Sequence, residues 1–260
     1  MIQGMKAVIL AGGLGTRLSE ETVVRPKPMV EIGGKPILWH IMKIYHHYGV
    51  KDFIICLGYK GQMLKEYFLD YAILNSDITV NSVGAVNVRS KYAEDWNVTL
   101  ADTGEHTQTA GRVGRIRQYL QPGVPFFLTY GDGLSDINIE ALLKFHQAHG
   151  KKATISGVKP AARFGALELE GTAVRSFREK PKSEGGYING GFFVLDPSIT
   201  DYITSDDMSL ESEPLERLAR EGQLEACLHE GFWQPMDTMR EKYLLERLWE
   251  EGKAPWKKWS

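Results

Sequence analysis

Cysteine is scarce in this sequence of 260 residues, and Cys56 and Cys227, the two that are present, belong to no CxxC or Cys/His cluster. Each lies in a segment typical of a buried strand, so we expect two reduced thiols rather than a disulfide. Long apolar runs are also lacking. The apolar run nearest the start, residues 7–11, is too short for a signal peptide or a membrane span. These absences favour a cytoplasmic protein that does not insert in a membrane.

An excess of charge of one sign is missing as well. The 31 Lys and Arg residues nearly cancel the 33 Asp and Glu residues, which leaves a formal net charge of -2. Such a chain has no overall field that would attract nucleic acid or an anionic membrane, so any anion must be held by a local site. Repeats and linkers are lacking too, and with 43% hydrophobic residues we expect one domain over residues 1–260.

Strand-like and helix-like segments alternate through the first half of the chain. The continuous apolar segment 5–11 predicts a strand, and apolar spacing over 35–48 predicts a helix that Gly49 ends. A second strand at 53–57 and a helix that ends near Leu74 follow. This alternation is typical of a mostly parallel sheet flanked by helices, an α/β fold.

The second half is expected to add shorter strands as an extra sheet beside the first half. Residues 81–94 are interpreted as irregular, and Asp136 is a candidate cap for a helix that ends at His149. Further strands are predicted at 97–103, 126–130, 153–158, 166–169, 174–177 and 191–195, and further helices at 111–120, 210–220 and 239–250.

The stretch "AVILAGGLGTRLSEETVVRPKP", residues 7–28, places a glycine-rich loop directly after the first strand. A dinucleotide-binding loop is disfavoured because Leu18 follows Gly13 and Gly15 where a third glycine belongs, and prolines interrupt the next helix. A Walker-type loop is absent, and a plain glycine turn stays open. Backbone N–H groups in such a loop, with Arg17 and Lys27 nearby, can form a cradle for a triphosphate, although Lys27 alone could be an exposed loop residue.

Several ordered blocks give this chain a resemblance to a known family. "LAGGLGTRL" followed by "RPKPMVEIGGKPIL" resembles the motif of sugar-1-phosphate nucleotidyltransferases, and the likeness extends over nearly the whole chain. The blocks "FLTYGDGL", "REKPKSEGGYINGGFFVLDP" and "GFWQPMDTMREK" resemble the branch that joins CTP and glucose 1-phosphate into CDP-glucose and pyrophosphate. The resemblance implies a Rossmann-like, glycosyltransferase-A-like fold, a homo-oligomer, and a product used for surface polysaccharide.

The resemblance also implies two lobes and a set of nucleotide contacts. Residues 1–135 would form mainly the nucleotide lobe, and 136–260 mainly the smaller sugar-phosphate lobe. For Arg112 the local sequence leaves a solvated helix face as the alternative. The nucleotide contacts implied are Leu10, Ala11, Gly12, Gly13, Gly15, Thr16, Arg17, Lys27, Thr107, Arg112 and Gly131.

Two aspartates are candidates for a metal site. Asp132 directly follows the predicted strand 126–130, at the sheet edge where α/β proteins bind ligands, although an Asp-Gly turn is an equal alternative. Asp237 precedes Thr238 and Glu241, which form a capping-box pattern. The resemblance implies that the two aspartates hold Mg²⁺ together.

A second group of residues is implied on the sugar-phosphate side. Glu179 and Lys180 in "REKP" would meet the sugar hydroxyls and the phosphate, with a solvated charged turn as the alternative. Asn189 and Gly190 in "INGGFF" would let a hexose approach the backbone, with a glycine bulge as the alternative. Gly165 in "RFGAL" is assigned in the same way.

The reaction implied is an in-line attack of the sugar phosphate on the α-phosphorus, with Lys27, Arg17 and Asp132 as the catalytic residues. The same chemistry with UTP or dTTP, or a non-catalytic sensor of nucleotide sugars, stays open. Cytosine selection rests on the resemblance alone.

Overall fold

The computed structural model describes residues 2, 4–13, 18–84, 86–90, 94–160, 166–170, 173–178 and 186–259. The strands are β1 Lys6–Leu10, β2 Glu31–Ile32, β3 Lys35–Pro36, β4 Asp52–Leu57, β5 Ser76–Val80, β6 Val86–Ser90, β7 Asn97–Asp102, β8 Phe126–Tyr130, β9 Gly133–Ser135, β10 Ala153–Val158, β11 Ala166–Glu170, β12 Ala173–Arg178, β13 Ile188–Leu195, β14 Leu224–His229 and β15 Trp233–Pro235. The helices are α1 Ser19–Thr22, α2 Ile37–His47, α3 Gly61–Leu74, α4 Thr109–Arg115, α5 Ile139–His149, α6 Glu213–Arg220 and α7 Met239–Glu250.

A seven-stranded sheet in the order β14-β10-β13-β8-β1-β4-β7 forms the centre of the molecule. Strands β8, β1, β4 and β7 run parallel to one another, and β10 runs parallel to β14. Strand β13 pairs antiparallel with both of its neighbours, β8 and β10. The sheet is therefore mixed and mostly parallel, as the sequence predicts.

Helices cover both faces of this sheet, which explains why its strands are continuous apolar runs. Successive residues of β1 alternate between two cores: Ala7 and Ile9 pack on one side, and Val8 and Leu10 on the other. Helices α2, α5 and α7 contribute to the first core, and α4 and α6 to the second.

The antiparallel direction of β13 determines which residues meet at the site. In parallel strands the carboxyl ends meet at one edge, so Leu10 at the end of β1 and Tyr130 at the end of β8 lie together. Because β13 runs in the opposite direction, its beginning, with Asn189 and Gly190, reaches this same edge. One edge of the sheet therefore collects residues from distant parts of the chain.

Two local expectations are wrong. Residues 86–90, within the segment expected to be irregular, form β6 in a hairpin with β5. The cap of α5 is Asn138, whose side chain accepts from Ala141 N at 2.9 Å, rather than Asp136. The carboxylate of Asp136 instead accepts from Phe232 N at 2.7 Å and lies 3.0 Å from His229 Nε2, so it fixes the turn before β15.

One predicted helix and the predicted second sheet also differ from the structure. The helix expected at 111–120 is α4, which starts two residues earlier and gives way to a 3-10 turn at Arg117–Tyr119. Strands β10, β13 and β14 extend the main sheet instead of forming a second one, because β13 pairs directly with β8.

Cys56 and Cys227 are both free thiols, the first buried and the second half-buried. Burial raises the pKa of Cys56 to about 12, so this thiol stays protonated. Within the described ranges, no helix combines the length and the apolar character needed to cross a bilayer.

Candidate active site

Lys27, Asp132 and Asp237 meet at the edge of the sheet. The Nζ atom of Lys27 lies 2.6 Å from Asp132 Oδ2 and 2.7 Å from Asp237 Oδ1, so one ammonium bridges both carboxylates. Side chains of Lys27 and Asp237 are 12% and 13% exposed, which shields the ion pairs from bulk water. Both predicted metal-site aspartates and the predicted catalytic lysine thus form one cluster.

Short strands bring the two aspartates together across a gap of more than a hundred residues of sequence. Strand β9, which follows Asp132, pairs antiparallel with β15, which precedes Asp237, and Gly133 lies opposite Pro235. The carbonyl oxygen of Asp132 also accepts from Met236 N at 2.8 Å.

The capping box of helix α7 holds the second aspartate in place. The Thr238 side chain accepts from Glu241 N, and the Glu241 carboxylate accepts from the N–H groups of Thr238 and of Asp237, the latter at 2.7 Å. Helix capping and metal binding are therefore compatible in this segment, because Thr238 is the cap and the Asp237 carboxylate remains directed at Lys27.

Lys27 projects from a rigid piece of backbone. It begins a 3-10 turn, Lys27–Met29, that follows Pro26 in an extended conformation and contains buried Pro28. Burial alone would lower the pKa of Lys27, but the Asp132 and Asp237 carboxylates outweigh it and raise the pKa above the usual range of lysine. The side chain is therefore a fixed positive charge rather than an exposed loop lysine.

The residues present fit a hard divalent cation. Oxygens of Asp132 and Asp237 already share one positive group, the Lys27 ammonium, which shows that both can contact a single cation. Among the described residues no group of three or more His, Cys, Asp or Glu side chains could hold a metal alone. Two carboxylates completed by substrate phosphates are a common way to bind Mg²⁺.

A cleft of about 280 Å³ opens beside this cluster. It contains all the described residues expected to contact a nucleotide, together with the unexpected Pro28, Gln108, Thr109 and Tyr130. Gly131 permits a close approach, because a Cβ there would lie 2.9 Å from the carbonyl oxygen of Leu10. The expected residues that line the cleft are Leu10, Ala11, Gly12, Gly13, Lys27, Thr107, Arg112, Gly131 and Asp132.

Arg112 lies inside the protein at the back of this cleft, and its side chain is 4% exposed. The solvated helix face considered for it is therefore wrong. Its guanidinium donates to the carbonyl oxygens of Leu57 at 2.9 Å and of Gly12 at 3.0 Å, and to Thr103 Oγ1 at 2.8 Å. A buried positive charge held by neutral oxygens gives the cleft a positive wall suited to an anion.

A smaller pocket of about 40 Å³ adjoins the cleft on its other side. Asn189 and Gly190 line it together with Gly133 and Trp233, and it shares Tyr130 and Asp132 with the larger cleft. The indole N–H of Trp233 donates to the carbonyl oxygen of Gly190 at 2.7 Å. Two of the residues expected on the sugar-phosphate side thus lie next to the candidate metal ligands.

Six of the expected site residues lie outside the described residues, and their roles stay predictions. They are Gly15, Thr16, Arg17, Gly165, Glu179 and Lys180.

Tyr130 and Glu211 were not identified from the sequence. Tyr130 ends β8, and its position two residues before Asp132 is a signal that could have placed it at the site. Its hydroxyl donates to the carboxylate of Glu211. Glu211 lies in a loop 81 residues further along the chain, and no local motif indicates this contact.

The chain is similar to known proteins over nearly its whole length. Glucose-1-phosphate cytidylyltransferase from Salmonella typhi is 59% identical over 257 residues, covering 98% of this chain and 100% of the relative. The probable glucose-1-phosphate cytidylyltransferase from Bacillus subtilis is 47% identical with the same coverage. Among solved structures, HddC from Yersinia pseudotuberculosis complexed with GMP-PN superposes with a TM-score of 0.69 at 25% identity, covering 94% of this chain and 99% of that one. Residues 6–240 match the family described as Nucleotidyl transferase, and the chain belongs to this family.

Proposed function

We propose that this enzyme transfers the cytidylyl group of CTP to α-D-glucose 1-phosphate, which gives CDP-glucose and pyrophosphate. The observation that carries the proposal is the cluster of Lys27, Asp132 and Asp237 between two adjoining pockets. The near full-length identity to curated glucose-1-phosphate cytidylyltransferases supports the choice of both substrates.

In this proposal the larger cleft takes the nucleotide and the smaller pocket takes the glucosyl group. An oxygen of the sugar phosphate attacks the α-phosphorus of CTP, and the bond to the β-phosphate breaks as pyrophosphate leaves with the electron pair. The attacking phosphate is already ionised at neutral pH, so no side chain has to remove a proton. Catalysis then depends on placing both substrates in line and on stabilising negative charge.

The chain's own residues supply this positioning and charge. Lys27 would stabilise the developing charge on the α-phosphate, and N–H groups of the glycine-rich loop, with Arg17, would hold the leaving pyrophosphate. Arg112 would add positive potential behind the loop, and Asn189 would bind sugar hydroxyls. Residues 1–135 would then serve mainly the nucleotide, and 136–260 mainly the sugar phosphate.

We propose Mg²⁺ as the divalent cation, held by Asp132 and Asp237, where it would neutralise charge on the phosphates. Asp132→Asn and Asp237→Asn should each weaken the binding of Mn²⁺, used as a spectroscopic probe, in the presence of a CTP analogue. Unchanged Mn²⁺ binding in both variants would refute this assignment.

The experiment that tests the substrates is a nucleotide panel. CTP, UTP and dTTP are each supplied with glucose 1-phosphate, and pyrophosphate release is measured with and without Mg²⁺. Release with CTP well above the other two supports the proposal. Preference for UTP or dTTP would move the assignment to another nucleotide, and binding without any release would indicate a sensor of nucleotide sugars.

We also propose that the enzyme is a homo-oligomer that works in the cytoplasm, where nucleoside triphosphates are available. The hairpin of β5 and β6 supports the first part, because its cross-strand pairs Ile78–Val88 and Val80–Val86 form one apolar face. Their side chains are 40–58% exposed in the single chain, and such a face on a two-stranded sheet is typically covered by a partner. Light scattering of the purified protein would measure the assembly directly.

A further inference from the structure

Tyr130 separates the two pockets of the site and is held firmly in place. Its ring packs edge to face on Phe193, with the centroids 5.9 Å apart. The ring also fits against the backbone of Gly191, where a Cβ would lie 2.6 Å from Tyr130 Cδ2. These contacts fix the position of the phenol hydroxyl between the pockets.

The hydroxyl of Tyr130 joins one residue on each side. It accepts from Asn189 Nδ2 at 3.2 Å and donates to Glu211 Oε1. The amide of Asn189 is also fixed at its other end, because Oδ1 accepts from Gly191 N at 2.8 Å. The second N–H of the Asn189 amide and the second lone pair of Oδ1 can bond to a ligand in the small pocket, which Asn189 lines.

Glu211 continues this chain of contacts toward the nucleotide cleft. Its second oxygen, Oε2, accepts from Thr109 Oγ1 at 2.8 Å and from Ser209 Oγ at 2.5 Å. Burial opposes ionisation of this carboxyl, but the hydrogen bonds from Ser209 and Tyr130 lower its pKa below the usual range. An ionised carboxylate has no proton to donate, so both of its oxygens serve only as acceptors, as the contacts with Tyr130, Thr109 and Ser209 require.

The segment that carries Glu211 is attached to the start of helix α4. The side chain of the cap residue Gln108 makes no capping hydrogen bond. The carbonyl oxygens of Asp206 and Met208 accept instead from Gln108 N at 2.8 Å and from Ala110 N at 3.0 Å. Residues 107–109 and Arg112 line the nucleotide cleft. Any shift of the start of α4 would therefore be passed to Glu211.

We propose that Glu211 and Tyr130 are positioning residues that couple the two subsites: contact of a nucleotide with the start of α4 orients Asn189, through Glu211 and Tyr130, for binding of the glucosyl group. This inference rests on the proposed function for the assignment of each pocket to its substrate. The coupling depends on a continuous set of hydrogen bonds, Thr109 to Glu211 to Tyr130 to Asn189.

The test measures how strongly a nucleotide changes the affinity for glucose 1-phosphate. Its dissociation constant is determined by calorimetry with and without the α,β-methylene analogue of CTP, which cannot react. In the wild type we expect the analogue to strengthen sugar-phosphate binding by at least about fivefold, the lower end of typical coupling between sites. In Tyr130→Phe and in Glu211→Gln this factor should fall toward one, while the affinity for the analogue alone changes less than about twofold.

Glu211→Gln keeps the shape of the side chain but replaces one acceptor oxygen with a donor, so it cannot accept both Tyr130 and Thr109. The double variant should show no further loss, because both changes break the same link. Ser209→Ala is the matched control: it removes a donor to the same carboxylate, leaves the link intact, and should keep the wild-type factor.

The proposal is overturned if both variants keep the wild-type factor, if the wild type shows no coupling, or if the variants lose affinity for the analogue itself. The last result would mean that Glu211 only supports α4. Turnover of CTP and glucose 1-phosphate by the wild type tests the proposed function separately, so the two ideas can fail independently.

Discussion

At the level of single residues, the guanidinium of Arg112 packs so close to the glycine-rich loop that it determines which glycines are needed there. A Cβ on Gly12 would lie 2.2 Å from Arg112 Cζ, and a Cβ on Gly58 would lie 2.6 Å from Arg112 Nη1. Among the described residues, none has an atom within 4 Å of such a Cβ on Gly13. Gly12 and Gly13 are therefore under different constraints. Gly12 is constrained by Arg112 in the protein interior, and Gly13 by the cleft that it lines.

This difference gives a matched pair of variants. Gly12→Ala should displace the Arg112 guanidinium and lower the free energy of unfolding by about 1–3 kcal/mol, the usual range for overpacking. Gly13→Ala adds the same methyl group where no described residue would be contacted, and it should change stability by less than about 0.5 kcal/mol. Urea unfolding of both variants measures the effect, and equal stability would contradict the assigned role of Arg112.

Lys27→Met removes the charge of Lys27 while keeping a side chain of similar length. We expect kcat to fall at least about a hundredfold, comparable to the loss of one donor to a developing oxyanion. The steady-state rate of pyrophosphate release measures it. Arg25→Ala is the control, because Arg25 pairs only with exposed Glu31 at 2.8 Å among the contacts described. A Lys27→Met enzyme with near wild-type turnover would refute the catalytic role.

The sequence predicted which residues belong to the site, but it did not predict the contacts that surround each of them. Lys27, Asp132 and Asp237 were found because each lies in a short motif with recognisable neighbours. The environment of Arg112 could not be found in this way, because the carbonyl oxygens of Leu57, Gly104 and Gly12 converge on it only in the folded chain.

At the level of elements, the short pair of β9 and β15 and the start of α7 carry the geometry of the aspartates. The sequence located α7 at its observed bounds, because Thr238 and Glu241 give a clear start signal before an amphipathic run. Strands of two or three residues, such as β9 and β15, have no measurable period and were missed. Their pairing depends on long-range contacts.

The capping box should therefore affect both stability and catalysis. Thr238→Ala removes the acceptor for Glu241 N and should cost about 1 kcal/mol of unfolding free energy. Because Glu241 also holds the backbone N–H of Asp237, we expect kcat to fall as well. Thr238→Ser keeps the hydroxyl and should keep both properties. Loss of stability with no change in kcat would show that the cap does not orient Asp237.

At the level of the whole molecule, the residues after α7 cover the outer side of α2. Trp256 is fully buried, and its indole N–H donates to Nδ1 of His40 at 3.3 Å. The other ring nitrogen of His40, Nε2, lies 2.8 Å from the carbonyl oxygen of Ile32 and must donate to it. This network requires the neutral imidazole, and burial lowers the pKa of His40 to about 4.

Stability should consequently depend on pH in the mildly acidic range. His40 binds a proton near pH 6.5 in the unfolded chain and only near pH 4 in the folded one, so the free energy of unfolding falls as the pH drops from 6.5 to 4. The expected loss is about 3 kcal/mol from this residue. Burial also lowers the pKa of His146 to about 4, which adds to the loss in the same range.

Urea unfolding at several pH values would measure this loss in the wild type and in His40→Gln. The variant should be less stable at pH 7.5 but should lose less on acidification. His146, His149 and carboxyls with a lowered pKa, such as that of Glu211, account for the loss that remains. Equal slopes between pH 4 and 6.5 would contradict the assignment to His40.

The bridging of two carboxylates by Lys27 has a consequence for the enzyme between turnovers. In the proposed function a metal ion would enter with each nucleotide and leave with the products, and the two carboxylates left alone would repel each other. The Lys27 ammonium is a counter-ion that cannot diffuse away, since it is covalently part of the chain. The aspartates can thus stay in register while the site is empty, ready for the next nucleotide without a rearrangement of β9, β15 or α7.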